Sequence, residues 1–225
     1  MAFLDEHDAA LRLYAQAVTT MGGLGRLREA LRKANPDAEE DPDQVESAEA
    51  FELKCKEEAS FGYPLLVAHS AVTLWSCLES TVPEFVRQFV LANPAVLDRP
   101  QFQKLKISAA EALKRSPDGL AIYVVEELER STQNQIKWGV GRFDEMISAL
   151  GLAPKIEEET RRTIFELSQI RNVIAHNRSV VDSRLVNSCP WLNVQVGQKL
   201  VLNMQDHHRY SVAVCTYAAD ILEAG

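Results

Sequence analysis

A chain of 225 residues, 46% hydrophobic and 25% charged, has the make-up of a folded globular protein with material for one large or two small cores. Its net charge of −8 sets the surface as a whole against nucleic acid, so any RNA or DNA contact needs a local basic patch. The start is acidic (Asp5, Glu6, Asp8) rather than signal-like, the apolar runs fall short of the ~18 residues that span a bilayer, and the four scattered cysteines form no CxxC pair; the expected setting is cytoplasmic, with no membrane contact.

In chain order, Leu4, Leu11, Leu13, Tyr14 and Val18 predict an amphipathic helix ending near Gly22 and Gly23, followed by a shorter one over Leu24–Ala34. Residues 35–46 hold six acids and two prolines and read as an exposed loop, either a solvated connector or a partner-binding tract. Helix signals resume over Ser47–Ser60. Phe61 to Pro64 breaks the pattern, and Leu65–Thr81 is apolar nearly all round, as befits the middle of a bundle or a subunit interface. Cys77 in this run reads as a buried thiol, and His69 as a core or interface histidine. Pro83 marks a kink or the first turn of a helix over Glu84–Leu91.

Shorter helices are expected over Ser108–Arg115, Leu120–Arg130 and Arg142–Leu150, the last between Gly139–Gly141 and Gly151–Pro154. A long helix then runs from about Lys155 to His176, with Glu157, Glu158 and Glu159 in the turns where the helix dipole favours acids. Ile156, Thr160, Ile164, Leu167, Ile170 and Ile174 trace one face of it. Further on, residues 192–202 around Gly197 read as a β-hairpin, and Asp206–Leu222 as a closing helix. The expected fold is mainly α: a helical bundle over 61–225 with a small hairpin near its end, and 1–60 as helices and an acidic loop within or against it.

Chemistry concentrates at the end of the long helix. Asn172 and His176, four apart, share a face, while Arg171 lies about 140° from His176 around a straight helix. On a rigid helix the two do not aim at one phosphate unaided; a long Arg side chain, a helix end near His176 or a second copy of the site would help. RNA carries its own nucleophile, the 2′-hydroxyl. A catalyst need only take that proton, protonate the departing 5′-oxygen and steady the charge on phosphorus. Histidine exchanges protons near neutral pH, and arginine offers a permanent fork to phosphoryl oxygens, so no metal or cofactor is required. Five arginines (161, 162, 171, 178, 184) against Glu166 and Asp182 make this the most basic window of the chain. Spacing alone also suits a structural role, with an Arg paired to Glu166 and His176 capping the helix.

Ile170 to Asn177, followed by Val180, Val181 and Asp182, resembles the Arg–polar–x–x–x–His signature of HEPN domains. The similarity spans roughly 60–225, is closest to the bacterial group related to RNA-ligase-associated and stress-protein-like families, and takes the helix holding Trp75 and Leu78-Glu79 as the partner helix. The resemblance implies a helical homodimer with paired motifs in a shared cleft. It also implies metal-independent endoribonuclease activity in toxin–antitoxin or anti-phage defence, with an antitoxin or defence-complex protein as possible partner. Carried over by position, Arg171 steadies the phosphate, Asn172 positions and His176 acts as acid or base, with Asn177, Arg178 and Arg184 as RNA-binding residues. The alternative is a non-catalytic HEPN module that binds RNA, a nucleotide or a protein.

Several other residues have two readings each. Glu79 is either a buried acid paired with Arg171 or a surface charge. His207, His208 and Arg209 either add to RNA binding or form a solvated helix start. Trp138 and Trp191 either stack bases or pack.

Overall fold

Caps, prolines and left-handed residues set the helix boundaries of this chain. The computed structural model describes residues 2–35, 41–135 and 140–225; the tip of the acidic tract, Trp138 and Gly139 lie outside them. Among the described residues the structure is mainly helical, and the chain divides into two units, 1–70 with 201–208 and 71–200 with 209–225. Over the whole sequence the first unit holds 15 acidic and 7 basic side chains, the second 17 of each. The net negative charge of the protein therefore resides in the first unit.

In the first unit, α1 (Ala2–Met21) packs along α3 (Pro42–Ser60), with α2 (Leu24–Ala34) between them in sequence. Helix α3 begins inside the tract that reads as a loop. Pro42 presets the first turn, and the Asp41 carboxylate accepts the N–H of Asp43 at 3.1 Å, so residues 42–46 are helical. Gly62 and Tyr63 then turn the chain with positive φ (75° and 61°), and the Tyr63 hydroxyl lies 2.7 Å from that of Thr19. Glu58 Oε1 accepts the N–H groups of Leu65 (2.8 Å) and Leu66 (3.3 Å), satisfying donors left open at the start of the next helix.

That helix, α4 (Pro64–Ala92), is continuous with Pro83 inside it, so Pro83 does not start a separate helix. Pro83 deprives the carbonyl of Glu79 of its helical partner, yet Val82, Val86 and Val90 remain buried on one face and carry the helix through. Because it runs unbroken, α4 is long and apolar enough to cross a membrane by length and composition. Its 18-residue window has a mean hydropathy of 1.2, with 44% buried inside the protein. Two details differ from expectation: His69 is exposed and Cys77 is only half-buried.

The second unit adds α5 (Pro100–Gln103), α6 (Ala109–Ala112), α7 (Pro117–Gln135), α8 (Gly141–Ala149), α9 (Glu158–His176), α10 (Ser183–Ser188) and α11 (Met204–Ala224), with 3₁₀ turns at Pro94–Asp98 and Pro190–Leu192. Helix α6 stops well short of Arg115, since Leu113, 88% exposed, has nothing to pack on. The core draws on Leu74, Leu78 and Val86 of α4, Phe143 and Met146 of α8, Ile164, Leu167 and Ile170 of α9, and Tyr210 and Tyr217 of α11. Trp75 and Phe143 tie α4 to α8 with ring centroids 5.5 Å apart. Gly151 closes α8 with φ 82°, a backbone conformation that strains any L side chain.

The expected hairpin over 192–202 is not formed. Residues 190–192 are a 3₁₀ turn and Asn193 is left-handed (φ 51°), which removes the first strand. The turn at Gly197 does exist, closed by Gln198 N–H to Gln195 C=O at 3.1 Å with Gly197 at φ 86°. Its second arm pairs with the segment that follows α9 instead. Val181 N–H reaches Gln198 C=O (2.8 Å), Gly197 N–H reaches Val181 C=O (2.9 Å) and Leu200 N–H reaches Ser179 C=O (2.7 Å), around an isolated bridge between Val180 and Lys199. Val181, 1% exposed, fixes this pairing by burying its side chain.

Among the described residues of the second unit, one acid sits in the core. Glu166 of α9 is 2% exposed and takes three donors: Trp191 Nε1 at 2.5 Å, the Tyr210 hydroxyl at 2.6 Å, and the Arg209 guanidinium. A buried carboxylate of this kind persists only when its lone pairs are used. Glu166→Ala should strand Arg209 and the Trp191 indole N–H. We expect it to lower unfolding free energy by about 2–4 kcal/mol in urea titrations, against about 1 kcal/mol for Tyr210→Phe.

Candidate functional site

The last two turns of α9 and the segment after them build the site. Helix α9 ends at His176, where Asn177 N–H and Ser179 N–H both bond the Val173 carbonyl (3.0 and 3.1 Å). Arg178 and Ser179 are left-handed (φ 53° and 61°), and the Asn177 amide donates to the Val180 carbonyl, closing a tight reversal. The chain emerges at Asp182, which caps α10 by accepting the Leu185 N–H at 2.8 Å.

Arg171, Asn172 and His176 meet within one chain. Arg171 Nη1 donates to Asn172 Oδ1 at 3.2 Å and lies 3.5 Å from His176 Nε2. The angular offset between Arg171 and His176 is overcome by the length of the arginine, so a second copy is not needed to bring the two together. His176 is exposed; Arg171 and Asn172 are half-buried.

Behind Arg171 stands Glu79 of α4. Its carboxylate pairs with Arg142 at 2.6 Å and with Arg171 at 3.6 Å, and Arg142 is in turn 3.9 Å from Glu129. The pairing reading of Glu79 therefore describes its geometry, although Arg142 is the nearer partner. Arg142 was not among the expected site residues, and nothing in the linear sequence links positions 63 apart. The Nε of Arg171 is buried and makes no hydrogen bond.

A cavity of about 390 Å³ opens beside His176. Asn172, His176, Asn177 and Arg184 line it, as expected of site residues; Gln169 and Asp182 line it too and were not singled out. Val173 and Leu185 supply apolar wall. Arg171 and Arg178 are not among its lining residues, and Arg178 is exposed. The signal that could have found Gln169 was its place one turn before Asn172 and Val173 on the same helix face.

The basic window is less free than its composition suggests. Arg161 pairs with Asp144, and Arg162 lies 3.8 Å from Glu159 and stacks over Trp191 at 4.3 Å. Burial raises the Asp144 carboxyl above the ordinary aspartate range, an effect opposed by Arg161 and the Tyr217 hydroxyl at 3.0 Å. Trp191, held by Glu166 and Arg162, is a packing residue, and Arg209 serves the buried acid. His207 is buried and His208 exposed. Among the described residues no group of three or more His, Cys, Asp or Glu side chains stands ready to hold a metal ion.

No family model, curated protein or solved structure matches this chain.

Beside the buried acid, Cys189 is pushed up to about 12, first by burial and then by the negative charge of Glu166. Its thiol should resist alkylation at pH 8, reacting about 10²-fold or more slowly in the native protein than in urea. Peptide mapping by mass spectrometry reads this directly, and equal rates in the two states would refute the burial of this corner.

Proposed function

We propose that the protein is a metal-independent endoribonuclease with a HEPN-type site, cutting RNA through attack of its own 2′-hydroxyl. The observation that supports this reading is the meeting of Arg171, Asn172 and His176, the arginine 3.5 Å from the imidazole and the other two lining an open cavity. In the reaction, a base takes the 2′-hydroxyl proton as the 2′-oxygen bonds to phosphorus. The bond from phosphorus to the 5′-oxygen breaks, and that oxygen leaves with a proton. A 2′,3′-cyclic phosphate and a 5′-hydroxyl result.

His176 carries one of these protons, and Arg171 faces the growing negative charge on phosphorus. Asn172 holds the guanidinium in place through its amide oxygen. Glu79 offsets part of the charge of Arg171 and fixes its reach. The unit that holds the site carries as many basic as acidic side chains, so the overall charge of −8 does not bear on this surface. As a homodimer, two such sites facing one another would provide both acid and base. A toxin–antitoxin or anti-phage role, in the cytoplasm, completes the proposal.

One observation favours the second reading, a non-catalytic HEPN module. Arg171 is engaged by Glu79 and does not line the cavity, as a purely structural arginine would not.

The two separate on one variant. His176→Ala should slow RNA cleavage by about 10²-fold or more while circular dichroism and oligomeric state stay as in the parent protein. EDTA should leave the rate unchanged, and the products should carry cyclic phosphate. Cleavage that continues at the parent rate in His176→Ala would assign the site to binding.

A further inference from the structure

The cavity beside His176 holds a feature that phosphate chemistry does not use. Gln169 is 3% exposed, lies on the cavity wall and donates its Nε2 to Ser168 Oγ at 3.0 Å. Its carbonyl oxygen takes no hydrogen bond from the described residues. The residue is buried while this oxygen stays open to the cavity, where it can accept from whatever fills the space.

The other walls lean the same way. Asn177 commits one of its two amide N–H groups to Val180 and keeps its oxygen as an acceptor, and Asp182 contributes a half-buried carboxylate that, among the described residues, accepts the Leu185 N–H. Asn172 runs opposite: its oxygen is committed to Arg171, so its Nδ2 is the donor on this wall. Three acceptors would repel a phosphate here. They suit a flat ligand rich in N–H groups, seated between Val173 and Leu185. Among nucleobases, guanine presents two donor nitrogens, N1 and N2, beside one acceptor oxygen on its pairing edge. Adenine, cytosine and uracil each present a single donor nitrogen there.

We infer that this cavity is a base-selective subsite that takes a guanine next to the scissile phosphate. Gln169 and Asp182 accept from the base, Asn172 donates to it, and the exposed Arg184 adds positive charge on the side where the phosphate lies. The inference rests on the ribonuclease reading for its place in a reaction, but the pocket can be tested without cleavage.

The test is calorimetric titration of the full chain with the four nucleoside 3′-monophosphates. Guanosine 3′-monophosphate should bind at least about tenfold more tightly than the other three. Gln169→Leu and Asp182→Asn should each bring it down to the level of the others. The second variant keeps an oxygen to accept the Leu185 N–H, so α10 stays capped even if the first fails to fold. Equal binding of all four nucleotides, no binding of any, or a guanine preference that survives Asp182→Asn would overturn the subsite. A preference without RNA cleavage would leave the subsite standing and remove the nuclease. Cleavage after every base alike, with flat nucleotide binding, would do the reverse.

Discussion

The second unit is organised around one buried negative charge. Glu166 lies nearly three turns before His176 on the same helix, and its three donors come from the 3₁₀ turn at Pro190–Leu192 and from the second turn of α11. A carboxylate 2% exposed carries a large desolvation cost, offset here only because every donor is in position. That requirement is stricter than hydrophobic packing, which tolerates small slides. It sets the rotation of α9 and anchors the segment leading back from α10, so the cavity wall at Asp182–Leu185 stands at a fixed distance from the helix end.

A second charged cluster lies nearer the candidate site. Glu79, Arg142 and Arg171 link α4, α8 and α9 on the side of α9 where the arginine leaves the helix. Two guanidinium groups share the half-buried Glu79 carboxylate, and Glu129 lies 3.9 Å from Arg142, so two acids balance two arginines. An arginine tethered in this way is held in one orientation. The apolar core beneath, from Trp75 and Phe143 to Ile170, keeps these polar contacts in register.

Much of this was legible in the sequence where the signal was local. Helix α2 and the C-terminal ends of α3 and α8 follow from glycine, proline and apolar spacing, while the Arg171–Asn172–His176 cluster was singled out by its resemblance to a known signature rather than by spacing alone. The errors arose where a distant partner decided the outcome. Lys199–Leu202 does carry an extended pattern around a real turn, but its partner proved to be Ser179–Val181, since Val181 had a buried position to fill and Leu192 lay in a 3₁₀ turn. Pro83 reads as a break in isolation and is overridden by the valines around it. The helical offset of Arg171 from His176 counted backbone angle and undervalued side-chain reach. Arg142 was invisible because it matters through a contact between distant positions, which leaves no linear trace, whereas Gln169 had only its helix face to mark it.

The reversal after His176 has an evolutionary consequence. Two successive non-glycine residues, Arg178 and Ser179, hold a backbone conformation that L-residues rarely adopt, and the Val173 carbonyl receives two N–H groups there. Side chains at those two positions can drift widely among polar types, and glycine would even relieve strain. The count of residues between His176 and Asp182 cannot drift. One insertion or deletion would turn Val181 out of the core and rotate Asp182 away from the imidazole. In divergent relatives of this chain, constancy of that spacing, more than of the letters within it, would mark those that keep a working cavity.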